Sequence, residues 1–319
     1  MRIVFFGSGA FGLPTLERLV ARHTLLAVVT QPDRPAGRKK AMTPTPIGAW
    51  AQSPNPLIST DDFILSKPEN VNDPVWLDRL RALPADAWVV IAFGQKIGSP
   101  LLEGRFAINL HASLLPRWRG AAPINHAILA GDEVTGNSVI TLADRMDAGA
   151  VLGRSTRPID PSVTTGDLHD LLAQDGPDLV EGVLAAHEAG TLDPLLQDES
   201  RVTLASKLRK GDGVIDFAQP ADVCRNRIHG LNPWPGVTST LNGEPIKLHR
   251  AKAIDRPHEQ PAGALLDVEE GIVACAPGSA LRLIEVQPPN RRAMAWEDFR
   301  NGASLTVGDR FSNAPRDEA

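Results

Sequence analysis

Tyrosine is missing altogether from this 319-residue chain, so no phenolic hydroxyl is on offer as an acid or donor, and cysteine occurs only twice, as Cys224 and Cys275. Two cysteines so placed cannot form a disulfide framework and lack the paired spacing of a zinc site. Both read as buried thiols in a reducing compartment. Long apolar runs are lacking too. The longest, Ala85 to Phe93, contains Asp86 and is under half of the roughly 20 residues a membrane-spanning helix needs. The opening MRIVFFGSG has one basic residue and a short apolar run before Gly7, which is no signal-peptide core and reads instead as a first strand. No membrane segment is expected, and the cytoplasm is the expected compartment. Nor is there a positive excess. The net charge is −5, with 18 basic and 23 acidic side chains in residues 1–206 and 15 of each in residues 207–319. A polyanionic partner would have to be met by a local patch. One candidate exists: Arg34, Arg38, Lys39 and Lys40 fall within seven residues that contain no acid.

What is present is ordinary for a globular protein: 42% hydrophobic, 22% charged, 27 glycines and 27 prolines, which excludes coiled coil, collagen and wholesale disorder. A chain of this length buries about three-quarters of its unfolded surface and favours two domains. Over residues 1–190, β-rich apolar runs alternate with amphipathic stretches. Strands are expected near Ile3–Phe6, Leu25–Val29, Ala87–Ala92, Phe106–Leu110 and Ser138–Leu142, and helices near Phe11–Ala21, Pro74–Ala82, Pro123–Ala130 and Thr165–Ala189. This alternation predicts an α/β, Rossmann-like parallel sheet covered on both faces. Residues 191–206 turn irregular and polar, as a linker does. Residues 207–319 then carry short strands at close spacing (Val237–Leu241, Ile246–Ala251, Ala264–Val268, Gly271–Ala276, Leu281–Val286), the first two joined by Asn242-Gly243, a strong hairpin signal. A small OB-like β-barrel is expected there.

Gly7-Ser-Gly9-Ala-Phe-Gly12 follows a strand and opens a helix, with Asp33 about 20 residues on, so it satisfies a dinucleotide fingerprint literally. Pro32 and Pro35 flank Asp33 and carry it beyond the strand tip where a ribose-binding carboxylate belongs. Glycines serving a tight strand-to-helix turn are the favoured reading, ahead of a phosphate site or NAD.

The densest chemical signal is Ile108-Asn109-Leu110-His111 with the run to Pro123. Strand alternation puts Asn109 and His111 on one face and Ile108 and Leu110 on the other. An amide and an imidazole thus meet where the strand ends, at the carboxyl edge on which open α/β sheets place their ligands. A carboxylate from Leu142-Ala-Asp-Arg-Met-Asp147 follows another strand; Asp147 is the candidate and Asp144 competes with it. Such a trio can polarise a carbonyl, hold an oxyanion and manage a proton.

Asn109-Leu-His111-Ala-Ser-Leu-Leu-Pro-Arg-Trp-Arg-Gly-Ala-Ala-Pro123 resembles the signature of the folate-dependent formyltransferases. Further blocks extend the resemblance along the chain: Thr30-Gln-Pro-Asp-Arg-Pro-Ala-Gly-Arg38, Leu231-Asn-Pro-Trp-Pro-Gly236, and Val286-Gln-Pro with Arg292-Ala-Met294. These are similar to the two-domain members that act on methionyl initiator tRNA; the shorter members that formylate glycinamide ribonucleotide lack the first block and the second domain. The resemblance implies transfer of the formyl group of 10-formyltetrahydrofolate to the free amino group of methionyl initiator tRNA. It implies catalytic roles for Asn109, His111 and Asp147, and no metal. Folate contacts are implied at Ser113, Leu114, Leu115 and Pro116, with Phe93, Gly94 and Ile97. Arg34, Arg38, Lys39 and Lys40 are the implied tRNA loop, Lys207, Arg209 and Lys210 an additional cationic strip, and the protein is expected to be a monomer. Three departures touch the pocket: Asp147-Ala-Gly-Ala150 for the usual Asp-Thr-Gly-Asp, Ala92-Phe-Gly94 for Ala-Tyr-Gly, and Gly7-Ser-Gly9 for Gly-Thr-Pro. None removes a catalytic group. A sugar-nucleotide amine formyltransferase, a formyltetrahydrofolate hydrolase and a nucleic-acid-binding protein with a decayed core remain alternatives. For Arg117 and Arg119, local salt bridges and substrate contact are equally open. Trp118 and the Asn232-Pro-Trp234-Pro element read as packing.

Overall fold

The computed structural model describes residues 1–37, 40–54, 57, 58 and 63–313. The chain divides into two compact units, one of residues 1–119, 136–157 and 169–204, the other of residues 120–135, 158–168 and 205–319. Among the described residues no helix is long and apolar enough to cross a membrane.

In chain order the elements that build the first unit are β1 (Arg2–Gly7), α1 (Leu13–Arg22), β2 (Thr24–Val29), β3 (Arg34–Ala36), β4 (Ala41–Thr43), α2 (Pro46–Gln52), β5 (Ile64–Ser66), α3 (Pro74–Arg81), β6 (Ala87–Ile91), α4 (Ser99–Leu102) and β7 (Ala107–His111). After β8 (Arg119–Gly120) and α5 (Pro123–Ala130) come β9 (Val134–Thr141), β10 (Val151–Pro158) and α6 (Thr165–Glu188). The sheet runs β10-β9-β7-β6-β1-β2-β5. β1, β2, β5, β6 and β7 are parallel. β1 and β6 are the most enclosed, with every residue from Ile3 to Phe6 and from Ala87 to Ile91 buried. That is why these strands read as unbroken apolar runs and not as alternation. β9 departs from the expected parallel pattern: it pairs antiparallel with β7, Ile108 opposite Thr141 and His111 opposite Ser138. Antiparallel additions to an otherwise parallel sheet are common, and here β9 and β10 form a hairpin at one edge.

The glycines after β1 serve packing. A Cβ at Gly7 would lie 2.5 Å from the Phe5 ring and 2.9 Å from the Ile91 carbonyl. The turn is pinned by Ser8, whose backbone N–H donates to the Ala92 carbonyl and whose hydroxyl donates to the Phe93 carbonyl. Asp33 is paired with Lys67 at 2.6 Å, so it stands apart from any ribose-binding arrangement.

The second unit contains β11 (Leu204–Ala205) in part, then α7 (Ala221–Gly230), β12 (Val237–Leu241), β13 (Glu244–Asp255), β14 (Leu265–Asp267), β15 (Ile272–Ala274), β16 (Ser279–Gln287), β17 (Met294–Ala295), α8 (Trp296–Asn301) and β18 (Phe311–Asn313). Its antiparallel sheet runs β14-β15-β16-β13-β12-β18, with β17 on β16, and curls into a half-barrel. Asn242 and Gly243 both have positive φ, 50° and 85°, as the tight turn between β12 and β13 requires. Ile228, Leu231, Val237, Leu248, Leu281, Val286, Trp296 and Phe311 are among the buried side chains of its core.

Among the described residues of this unit, His229 is both buried and titratable. The His229 ring accepts a hydrogen bond from the Ala251 backbone N–H at 3.1 Å, and its other side faces the Pro161 backbone. Burial, reinforced by the positive charges of Arg225 and Arg250, pushes its pKa down from 6.5 to about 4. The neutral ring's contribution is therefore complete above pH 6.5 and is lost as the pH falls from there towards 4. It amounts to about 3 kcal/mol. The melting temperature should drop across that window, and His229→Gln, which keeps a donor and an acceptor but takes no proton, should flatten the drop.

Candidate active site

β7 presents its side chains as strand alternation demands. Ile108 and Leu110 are buried on one face; Asn109 and His111 share the other. Asn109 lies opposite Val90 of β6 and Ile140 of β9. His111 closes the strand and is 6% exposed. Its Nε2 is 2.9 Å from the Trp118 carbonyl oxygen and its Nδ1 is 3.6 Å from Oδ2 of Asp147. Both ring nitrogens thus face oxygen.

The carbonyl that orients the ring belongs to a loop held by its own polar groups. The Ser113 hydroxyl donates to the Arg117 carbonyl at 2.6 Å. Ser138, across the sheet, donates to the Ser113 carbonyl and accepts from the Leu115 N–H. Trp118, with φ of 64°, donates its N–H to the Thr203 hydroxyl. The polar residues of this conspicuous motif are therefore largely spent on shaping the loop that holds His111.

Asp147 arrives by an unexpected path. Because β9 is antiparallel to β7, its end at Thr141 lies beside Ile108 and not beside His111, so the two groups do not meet as neighbouring strand tips. The hairpin loop 142–150 brings the carboxylate back. Gly149 makes the return possible, for a Cβ there would lie 1.7 Å from the Thr141 carbonyl oxygen. Asp147 itself has φ of 53°, a left-handed conformation costly for a non-glycine residue. Of the two candidate carboxylates, Asp147 faces the ring, while Asp144 is exposed. Gln197, which no sequence signal marked, donates from Nε2 to the carbonyls of Asp147 and Gly149, at 2.8 and 2.7 Å. It lies in the stretch read as a linker, whose residues 195–203 run along the first unit.

Arg119 is 3% exposed and pairs with Glu199 at 2.8 Å, which also receives Arg145; these two arginines hold the Glu199 carboxyl below its usual range. For Arg119 the structure thus shows the salt bridge. Among the other expected site residues, Ser113 and Leu115 are buried, and Leu114 and Pro116 partly so. The Phe93 and Ile97 side chains lie in the hydrophobic core, the Phe93 ring edge-on to Phe6 at 5.6 Å. Gly94 is exposed, with φ of 84°. The basic loop is a small hairpin: β3 and β4 pair with Arg34 opposite Thr43, and Lys40 is exposed in the turn. Arg34 is paired with Glu69. Arg38 and Lys39 lie outside the described residues. In the second unit Lys207, Arg209 and Lys210 are exposed around buried Leu208. No group of three or more His, Cys, Asp or Glu side chains able to hold a metal occurs among the described residues.

Fold and site together define a formyl transferase: a family model of that description matches residues 1–184, and one for the formyl transferase C-terminal domain matches residues 207–304. The methionyl-tRNA formyltransferase of Methylococcus capsulatus is 40% identical over 309 residues, covering 96% of this chain and 98% of the relative. That of Moorella thermoacetica is 38% identical over 97% and 98%. The chain belongs to the methionyl-tRNA formyltransferase family. A more distant likeness in fold is to the crystal structure of the Helicobacter canadensis N-formyltransferase with folinic acid and dTDP-3-aminofucose, with a TM-score of 0.67 at 14% identity over 88% of this chain and 98% of that one.

The close approach at Gly149 gives a direct test of the returning loop. Gly149→Ala should cost about 1–3 kcal/mol in denaturant unfolding, the range for overpacking a tight site, and should lower activity by displacing Asp147.

Proposed function

We propose that this chain transfers the formyl group of 10-formyltetrahydrofolate to the free amino group of methionyl initiator tRNA, with Asn109, His111 and Asp147 as the catalytic residues. The observation that carries the assignment is the approach of the Asp147 carboxylate to the His111 ring, 3.6 Å away, beside the Asn109 amide at the end of β7. The amine nitrogen attacks the formyl carbon, and charge develops on the formyl oxygen. Asn109 donates to that oxygen, the protonated His111 ring offers it positive charge, and Asp147 takes the proton the amine sheds. Collapse of the adduct breaks the carbon–nitrogen bond to the folate, whose nitrogen leaves with a proton. One formamide replaces another, so no covalent enzyme intermediate is required.

The folate side is assigned to Ser113, Leu114, Leu115 and Pro116 with Phe93, Gly94 and Ile97, on the segments that follow the adjacent parallel strands β7 and β6. With the Phe93 and Ile97 side chains in the core, that stretch offers a ligand its backbone, most openly at Gly94. The tRNA side is assigned to Arg34, Arg38, Lys39 and Lys40 and to Lys207, Arg209 and Lys210. Residues 1–190 carry the chemistry, 191–206 lead onward, and 207–319 bind the tRNA, in a protein acting as a cytoplasmic monomer. Phosphate contacts of this kind give affinity that falls steeply with salt.

The assignment is tested by supplying 10-formyltetrahydrofolate with charged initiator tRNA, with a sugar-nucleotide amine, or with water alone. Formylmethionyl-tRNA is the expected product; formate release without an acceptor, or preference for the sugar amine, overturns it. Asn109→Ala should reduce turnover by about 10²–10³, as loss of one oxyanion donor does, with folate affinity retained. Arg38→Leu should raise KM for the tRNA and weaken its salt dependence, leaving KM for the folate unchanged.

A further inference from the structure

Asp147 stands on a loop whose own bonds, from the Ala148 N–H to the Arg145 carbonyl and between Thr141 and Ala150, lie around it and at the loop's base. Its backbone is left-handed, its neighbours Asp144, Arg145 and Met146 are exposed, and its own strand ends on the wrong side of Ile108 to deliver it to His111. Further support comes from residues 195–199. Leu195 and Val151 exchange both backbone hydrogen bonds at 2.8 Å, closing the base of the loop. Glu199 takes Arg145 at 2.8 Å. Between these, the Gln197 amide spans the carbonyls on either side of Ala148, those of Asp147 and Gly149. Gln197 is itself fixed, because its Oε1 accepts from Nε of Arg119 at 3.0 Å, and Arg119 is buried and locked to Glu199. Both amide donors are used, on two carbonyls, and the amide oxygen accepts from one guanidinium.

We propose that Gln197 is the positioning residue that sets the Asp147 carboxylate against His111, with Arg119 fixing the Gln197 amide in turn. This rests on the catalytic reading of Asp147 given above. Gln197 donates only to the Asp147 and Gly149 carbonyls and accepts from Arg119, so it acts on the reaction through the placement of Asp147. A primary amide suits the task, since Nε2 carries the two donors that adjacent carbonyls need and Oε1 the acceptor that orients it. A carboxylate of the same size keeps the acceptor and turns one repulsive oxygen towards both carbonyls. A misplacement of about 1 Å at a reacting group costs up to about 10² in rate.

The experiment compares Gln197→Glu, which keeps the partner for Arg119, with Gln197→Met, which keeps the volume and loses every polar contact. Each is measured in single-turnover formylation of charged initiator tRNA, in the wild-type and Asp147→Ala backgrounds, with melting temperature as the control for folding. In the wild-type background both variants should lose roughly 10- to 100-fold in kcat, with KM for the folate and the tRNA within about twofold. In the Asp147→Ala background Gln197→Met should change the residual rate little, because the group it positions is gone. Wild-type turnover in Gln197→Glu overturns the proposal, as do equal losses from Gln197→Met in both backgrounds, which would mark a general structural role. Failure of the unmodified protein to formylate charged initiator tRNA, or full activity in Asp147→Ala, overturns the reading of the site, and the positioning role with it.

Discussion

The imidazole of His111 is the point on which the site turns. A nearly buried ring keeps a defined direction when both nitrogens have partners, and here one is a backbone carbonyl and the other a carboxylate. Neither partner is local to β7. The Trp118 carbonyl needs the self-bonded loop after the strand, and Asp147 needs the β9–β10 hairpin to double back. Much of the polar sequence around the site serves to deliver these two oxygens: Ser113 and Ser138 shape one approach, Gly149, Gln197 and Arg119 the other. The parallel strands supply a rigid edge, and the loops supply the chemistry at it.

Much of this was legible in the sequence, for physical reasons that differ by element. Buried parallel strands announce themselves as apolar runs, so β1, β2, β6 and β7 were evident, and Asn242-Gly243 placed the β12–β13 turn. Alternation alone put Asn109 and His111 on one face. What stayed hidden is long-range. The direction of β9 leaves no mark on its composition, since an edge hairpin and a parallel addition use the same residues. Three-residue strands such as β5 and β18 are too short to show a period. Gln197 was invisible because its partners, two backbone carbonyls and the Arg119 guanidinium, lie some 50 to 80 positions away, and polarity in an irregular stretch looks like a linker.

Two expectations gained sharper form. The glycines after β1 mimic a nucleotide-binding turn, yet they are there because Phe5 and Ile91 leave no room for a side chain, and Asp33 is tied to Lys67. The basic segment reads as an irregular loop; the backbone pairing of β3 with β4 makes it a ribbon, which presents Arg34 and Lys40 at far lower entropic cost than a free loop.

Since the Asp147 carboxylate reaches its partner through a hairpin return and not along a strand, its aim depends on how many residues the return contains. Adding or deleting one between Leu142 and Ala150 would rotate the acid away from the ring without disturbing a single strand of the sheet. The length of this return is therefore fixed by the geometry of the site even though Asp144, Arg145 and Met146 are exposed.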